Sequence, residues 1–424
     1  MLEARFAFGL ASGPDKDATG TVQGVDSDPR VYAVGGIDSA GQPLATCEKY
    51  NPNTDTWTSI APLPVALGNC SAVFVPDYGA SSALNLGYIY VTGGDQQSLF
   101  QYDIKQNSWQ TLGLPFFAPK DSTLLYLDDI GGPLASLFIA LTDVDLPPCT
   151  DTQTIWLVGG VGSEQTVWFV ESDINGRVVG EWARGPDLPL ARQSPQIGRT
   201  FWRDAGIASF GVSNCATIVV AGGNDETGPT RDVQLLVRDQ DCNWAWVTVD
   251  NNPTEIPDDV LTLAAPVAEG AFGTEQWPET LVTGGRPIVF GGVPPVESEG
   301  SVQFAQLRFV DGRYQRDECV SGQPNDSSTA WNTTTRMPGA RTSFRAAPLS
   351  QANSSFFGGN RVSRFLCVGG LAADDSEQAL SRVQLFELPV PSAFNVLRRN
   401  FDRCPAQQSR SGAKSCCAGN QKRR

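Results

Sequence analysis

Histidine is absent from all 424 residues of the chain. That excludes imidazole acid–base catalysis, Ser–His and Cys–His nucleophiles, and histidine-ligated zinc, copper or iron. Charge is also sparse: 18% of residues are Asp, Glu, Lys or Arg, against a usual quarter. A chain with few charged helix formers but 43 glycines and 29 prolines does not read as a helical bundle. Long apolar runs are missing too. PLASLFIAL (133–141) falls far short of the ~20 residues that cross a bilayer. The opening MLEARFAFGLASG carries Glu3 and Arg5 and lacks a signal-peptide layout. What is present, 41% hydrophobic residues, suffices for a sizeable core and argues against disorder.

The net charge of −15 disfavours nucleic-acid binding through the body of the protein. The charge is uneven. Residues 396–424 hold eight basic residues and one acidic residue, Asp402, so the remaining body is more acidic than the whole. Such a segment reads first as a solvated tail and second as a partner-binding or targeting element. Ten cysteines and four Asn-X-Ser/Thr sequons (Asn69, Asn325, Asn332, Asn353) leave secreted or particle-associated locations open. The scattered cysteines and the opening residues favour a soluble intracellular protein.

A short apolar run ending in Gly-Gly recurs six times: VYAVGG (31–36), YIYVTGG (88–94), IWLVGG (155–160), IVVAGG (218–223), PIVFGG (287–292) and FLCVGG (365–370). Each run is rich in Val, Ile, Tyr and Phe and is stopped by a turn, as a buried strand would be. Downstream comes a second strand-like run and, in five units, a tryptophan: Trp57, Trp109, Trp182, Trp244 with Trp246, and Trp331. Upstream lies a further strand, such as CSAVFV (70–75) or TSFRAAPL (342–349). Four strands per unit, repeated six times, predict an all-β propeller whose blades hide their apolar faces only when the ring closes.

The order Arg, strand, Gly-Gly, strand with Tyr, turn, Trp, strand, Pro resembles the kelch-repeat family over residues 4–390. The resemblance implies a six-bladed propeller over 1–395, with blades near 1–63, 64–116, 117–189, 190–257, 258–338 and 339–397, and a basic Cys-containing tail over 396–424. The chain departs from the pattern in its long spacings. It also places Leu236, Phe309 and Phe386 where the family has Tyr, and it has no Trp after Gly370, leaving FNVL (394–397) as a possible outer strand of the last blade. Tryptophans and Gly-Gly pairs read as packing and turn residues.

Where inner strands open, three units read Ala-Arg, at Arg5, Arg192 and Arg341. Lining up on the preceding proline gives Leu67 and Val260 in two other units, and Lys120 enters only with a shifted register. Arginine offers bidentate donors for carboxylates and phosphates, or for a neighbouring blade's own acids. Kelch adaptors are known to grip acidic motifs with such arginines. The resemblance therefore implies a non-catalytic interaction module binding a protein or acidic peptide or ligand at one mouth, through Arg5, Lys120, Arg192 and Arg341. No cofactor, metal or membrane span is implied, and the oligomeric state stays open. An alternative is a sugar enzyme like the sialic-acid mutarotases, with Arg192 near Glu269 or Glu297; another is a structural or assembly component. The copper oxidases of this architecture are closed off because they need histidine.

DINGR (173–177) and NPNTD (51–55) have turn chemistry but not Ca²⁺-loop spacing. Acidic residues after the Gly-Gly pairs, Glu297, Glu299, Asp374, Asp375 and Glu377, read as solvated loop or as a patch for a hard cation or basic partner. Cys404, Cys416 and Cys417 lack metal-ligand spacing, and a Cys149–Cys215 disulfide is undecided by sequence.

Overall fold

The structure is a computed structural model that describes residues 1–14, 30–77, 86–128, 153–203, 214–238, 243–251, 261–263, 266–267, 270–274, 287–290, 302–305, 307–310, 313–316, 331–333, 341–349, 361–372 and 378–390. Every regular element among them is a β-strand. Hence no helix among the described residues is long and apolar enough to cross a membrane.

Five sheets are antiparallel and four-stranded. The first joins β1 (Gly9–Gly13), β2 (Arg30–Val34), β3 (Cys47–Asn51) and β4 (Thr56–Ile60). The second joins β5 (Cys70–Val75), β6 (Tyr88–Gly93), β7 (Gln96–Asp103) and β8 (Ser108–Ala118). The third holds β9 (Thr123–Asp128), β10 (Gln153–Val158), β11 (Val167–Ser172) and β12 (Val178–Arg184). In the fourth, β13 (Gln196–Arg203) and β14 (Asn214–Ala221) are followed by a small hairpin, β15 (Asn224–Asp225) and β16 (Gly228–Pro229), before β17 (Val233–Arg238) and β18 (Trp244–Val247) complete the sheet. The fifth runs β19 (Ala271–Thr274), β20 (Pro287–Phe290), β21 (Val302–Ala305) and, after an inserted hairpin of β22 (Leu307–Val310) and β23 (Arg313–Arg316), β24 (Trp331–Thr333). The last unit pairs β25 (Arg341–Thr342) with β28 (Leu371–Ala372) and builds a three-stranded sheet from β26 (Arg345–Leu349), β27 (Arg361–Val368) and β29 (Val383–Val390).

This corrects the expectation of six four-stranded blades: five are present, and the remaining sheet has three strands among the described residues. The missing partner is an outer strand. In the first, second and fourth sheets a tryptophan of that strand faces the third strand, and in the sequence none follows Gly370. FNVL (394–397) lies outside the described residues.

Pairing registers show why the tryptophans recur. Tyr50 faces Trp57, Tyr102 faces Trp109, Leu236 faces Trp246 and Ala305 faces Trp331 across the outer strand pair. The rings of Tyr50 and Trp57 lie 5.1 Å apart, and those of Tyr102 and Trp109 5.0 Å apart, within the range of favourable aromatic pairs. Trp246, rather than Trp244, is thus the repeat tryptophan. Phe309 is also corrected: it sits in the inserted hairpin β22–β23, and Ala305 holds the place expected of it. Leu236 and Phe386 do occupy the Tyr position, opposite Ile218 and Phe365.

The core among the described residues is six apolar clusters, each shared between neighbouring sheets. Phe8, Val31 and Ala33 of the first sheet, for instance, pack with Ala347, Leu366 and Val368 of the last. The innermost strands β1, β5, β9, β13, β19 and β26 touch in that order and β26 returns to β1, so the cycle closes around an axis. Near the axis space is scarce. A Cβ on Gly9 would come within 2.7 Å of Ala72 Cβ.

The junctions between sheets depend on the Gly-Gly pairs. Gly35 has φ +61°, and a Cβ there would lie 2.5 Å from the Leu67 carbonyl oxygen of the next blade. Gly35→Ala is expected to lower the unfolding free energy by about 2–4 kcal/mol through strain and this clash. Gly41→Ala, at φ +76° with nothing within 4 Å, should cost only about 1 kcal/mol. Urea unfolding of the two variants checks the difference.

Candidate functional site at the Gly-Gly mouth

All inner strands start, and all second strands end, at the same mouth of the channel, because antiparallel pairing sets Gly9 against Val34 and Gln196 against Ala221. The backbone there is locked blade to blade. Gly36 N–H donates to Leu67 O at 2.8 Å, Gly223 N–H to Val267 O at 2.7 Å, and Gly370 N–H to Arg5 O at 3.1 Å. At these three junctions the residue that opens the inner strand is therefore held by the preceding sheet's second glycine. This register puts Leu67 in the same place as Arg5, as alignment on the prolines predicts. It also puts Val267 there in the fifth blade, whereas Val260 lies outside the described residues.

Two residues further on, Ala7, Asn69, Asp121, Ser194 and Ser343 all adopt φ between 48° and 57°. Non-glycine residues in this left-handed region carry a cost of about 1 kcal/mol or more each. Here they turn the chain into the channel and form part of a relay around it. Ala7 N–H donates to Ser343 O at 3.4 Å, Cys70 N–H to Ala7 O at 3.3 Å, and Asp121 N–H to Asn69 O at 3.2 Å.

Arg5 and Arg341 are 0% and 1% exposed, and both guanidinium groups turn into their own sheets. Arg5 donates to Gly35 O at 2.7 Å, Thr46 O at 2.9 Å and Glu48 Oε1 at 2.5 Å. Glu48, itself buried, also accepts the backbone N–H groups of Leu2 and Glu3. Arg341 donates to Gly369 O at 3.1 Å, to Arg382 O at 3.3 Å and to Gln384. Gln384 stands in the register position of Glu48, and burial pushes the Arg341 guanidinium below its usual range. Arg192 is half-buried and donates to Asp232 at 2.5 Å. Lys120 is exposed and pairs with Asp95 at 3.3 Å. The four cations thus do not converge: two are inside blades, one is in a partly covered ion pair, and one is on the rim.

Two arginines that motif reading passed over line the channel instead. Arg345 opens β26 four residues after Arg341, and Arg199 lies midway along β13. The signal was available: four residues after Arg192 and Arg341 come Gln196 and Arg345, both of which line the channel. Arg199 donates to Tyr126 O and lies over the Tyr126 ring at 5.7 Å. The channel cavity measures about 330 Å³, and its near end is lined by Asn69, Asp121, Ser194, Gln196, Ser343 and Arg345. Among the described residues no group of His, Cys, Asp or Glu could hold a metal ion. Glu269, Glu297, Glu299, Asp374, Asp375, Glu377, Cys149 and the tail cysteines lie outside the described residues.

Cys47, Cys70 and Cys367 are free and buried. Burial pushes their thiols up to about 12, 11 and 12 respectively, so at neutral pH they are protonated and poor nucleophiles. In the folded protein at pH 8 these three thiols are expected to stay unreactive towards Ellman's reagent and to react once the protein unfolds in urea; peptide mapping of the labelled sites checks this. Arg5→Met should destabilise by about 3–5 kcal/mol because it strands the Glu48 carboxylate in the core. The pair Arg5→Met/Glu48→Met should recover much of that loss in a denaturant double-mutant cycle.

With this geometry in view, comparison with known proteins gives a consistent result. The Kelch motif matches residues 27–64, the stretch from just before β2 through β4. Kelch-like protein 35 of Mus musculus is 29% identical over 200 residues, covering 47% of this chain and 26% of its own length. Alpha-scruin of Limulus polyphemus is 40% identical over 67 residues, 16% of this chain and 6% of its own. Kelch repeat and BTB domain-containing protein 2 of Homo sapiens is 32% identical over 167 residues, 39% of this chain and 22% of its own. The chain therefore spans about a quarter or less of the length of these relatives. The chain thus carries a Kelch motif at residues 27–64, and the recurring Gly-Gly latch and Tyr/Trp outer pair accompany a likeness to kelch-repeat proteins over part of its length.

Proposed function

We propose that the protein is a non-catalytic interaction module that docks another protein on its Gly-Gly mouth, with the three-stranded sheet serving as the sixth blade of the ring. The observation that carries this is where exposed apolar surface lies. Of eight large apolar side chains exposed among the described residues, four (Leu2, Val65, Val161 and Val249) sit on connections that enter inner strands or follow a Gly-Gly pair, and a fifth, Phe117, is next to last in outer strand β8, where Ala118 pairs with Gln96 just after Gly94. Phe117 and Val161 are 64% and 62% exposed, and they flank Lys120, whose carbonyl accepts the Val161 N–H. Apolar groups gathered at one end of a repeat protein, amid polar loops, are what a protein-docking face requires.

The reading moves recognition outward from the arginines first expected to grip a ligand. Arg5 and Arg341 act as struts between strand and turn, while Lys120, Arg345 and the apolar rim remain for contact. The test is affinity capture by three immobilised forms of the chain: unmodified, Phe117→Ser/Val161→Ser, and Ile174→Ser/Val179→Ser on the exposed hairpin of the third blade. Proteins retained by the unmodified chain should fall at least about fivefold with the first variant, some 1 kcal/mol of lost apolar contact. They should be kept by the second. Equal retention by both variants would remove the mouth from the account.

A further inference from the structure

A cation beside the channel lacks a counter-charge among the described residues. Two residues beyond the left-handed turns of the inner strands stand Gly9, Ser71, Thr123, Gln196 and Arg345. Of these five only Arg345 is charged. Strand alternation places it on the same face of β26 as Ala347 and Leu349, which pack with Phe8 and Val31 of the first sheet. It is half-buried and lines the channel cavity. Its Nη1 donates at 3.3 Å to the carbonyl of Phe344, the residue before it, and no carboxylate pairs with it among the described residues. Burial pushes the Cys70 thiol up to about 11, while the Arg345 charge acts to lower it, so this guanidinium is felt in the second sheet. Arg5, Arg341, Arg192 and Lys120, by contrast, each meet an acceptor side chain: Glu48, Gln384, Asp232 and Asp95 respectively. A half-buried guanidinium without one carries a desolvation cost that a bound anion would offset.

The rest of this end of the cavity is polar and uncommitted. Asn69, Asp121, Ser194 and Ser343 line it, and among the described residues none of their side chains takes part in a hydrogen bond or ion pair. In the closed cycle of inner strands, β9 and β26 are three steps apart in either direction, which sets Asp121 across the opening from Arg345. These two charges decide what fits. The guanidinium fork matches a planar carboxylate, whereas Asp121 repels a second negative charge and accepts from a hydroxyl or ammonium group. A cavity of about 330 Å³ stands at the small end of the range that takes small-molecule ligands. We infer that the Gly-Gly mouth opens onto a binding site for a small monocarboxylate whose far end carries hydrogen-bond donors. Arg345 holds the carboxylate, Asp121 accepts from the far end, and the Ser194 and Ser343 hydroxyls with the Asn69 amide complete the polar contacts. The site goes beyond the protein docking proposed above, because it lies within the channel and needs none of the apolar rim.

Isothermal titration of the full chain at pH 7 and constant ionic strength tests this with acetate, 4-aminobutyrate and inorganic phosphate as probes. Acetate should bind saturably, and phosphate more weakly than acetate. 4-Aminobutyrate, which adds an ammonium group at the far end, should bind at least about threefold tighter than acetate, the scale of one exposed ion pair. Asp121→Asn should erase that gain. Arg345→Gln should weaken acetate at least about tenfold, the scale of one lost hydrogen bond to a charged group. Its urea midpoint should stay unchanged, because the side chain bonds only the carbonyl of Phe344. Arg345→Lys keeps the charge without the fork and should fall between the two. Phe117→Ser/Val161→Ser should leave acetate binding as it is, so that failure of the docking face and failure of this site are told apart. No saturable acetate binding, phosphate bound more tightly than acetate, or acetate binding that survives Arg345→Gln would overturn the inference. A 4-aminobutyrate gain that persists in Asp121→Asn would overturn it as well.

Discussion

The contact on which the rest of the molecule depends is the approach of one blade's first glycine to the carbonyl that opens the next blade. A Cβ on Gly35 would lie 2.5 Å from Leu67 O, on Gly222 2.2 Å from Val267 O, and on Gly369 2.6 Å from Arg5 O. The adjacent glycine then donates its N–H to that same carbonyl. No side chain can be placed between these backbones, so the spacing of the sheets around the axis is set where they touch most closely. The apolar clusters between sheets contribute most of the stabilisation, but a hydrophobic surface alone tolerates sliding. The latch removes that freedom.

The arginines extend the latch into the sheets. Arg5 O accepts from Gly370 of the last sheet, while the Arg5 side chain donates to Gly35 O, beside the glycine that latches the next blade. One residue thus ties three successive sheets. Its charge is balanced by Glu48, which in turn collects the N–H groups of Leu2 and Glu3. In the fourth blade a different set does similar work: Gln234 exchanges hydrogen bonds with the Leu190 backbone, leaving Arg192 free to swing out to Asp232. The same position is a strut in two blades and a partly exposed ion pair in another. What changes is whether the third-strand side chain at that level bonds the arginine, as Glu48 and Gln384 do, or the Leu190 backbone, as Gln234 does.

Fold class was legible because it depends on period and residue type alone. Six Gly-Gly runs and their tryptophans could belong to no helical array, and the Tyr50/Trp57 and Tyr102/Trp109 pairs fall where the spacing put them. The count of complete blades was less legible, since an outer strand is held by cross-strand partners rather than by any motif of its own. The site was harder still. Sequence showed that Arg5, Arg192 and Arg341 share a position, but not that the position points into the sheet. That direction follows from the left-handed turn two residues later, at Ala7, Ser194 and Ser343, where none of the residue types announces a positive φ. Arg345 was overlooked because it lacks the Ala-Arg context, although it holds the channel-lining place.

The division between scaffold and surface follows from these constraints. At the axis the inner strands must be small, as Gly9, Ala72 and Gly198 are, so the middle of the channel has little room for chemistry. The second strands β2 and β10 are buried along their whole length and are committed to packing. Only the connections are free to vary, and at the Gly-Gly mouth they bring Asp38, Asp95, Glu164, Asp225 and Glu226 to one rim. Like charges gathered around one opening repel, and an acidic body does nothing to relieve them. A fold that concentrates carboxylates and exposed apolar side chains at the same end, while drawing its best cations inward, has arranged that end to be covered.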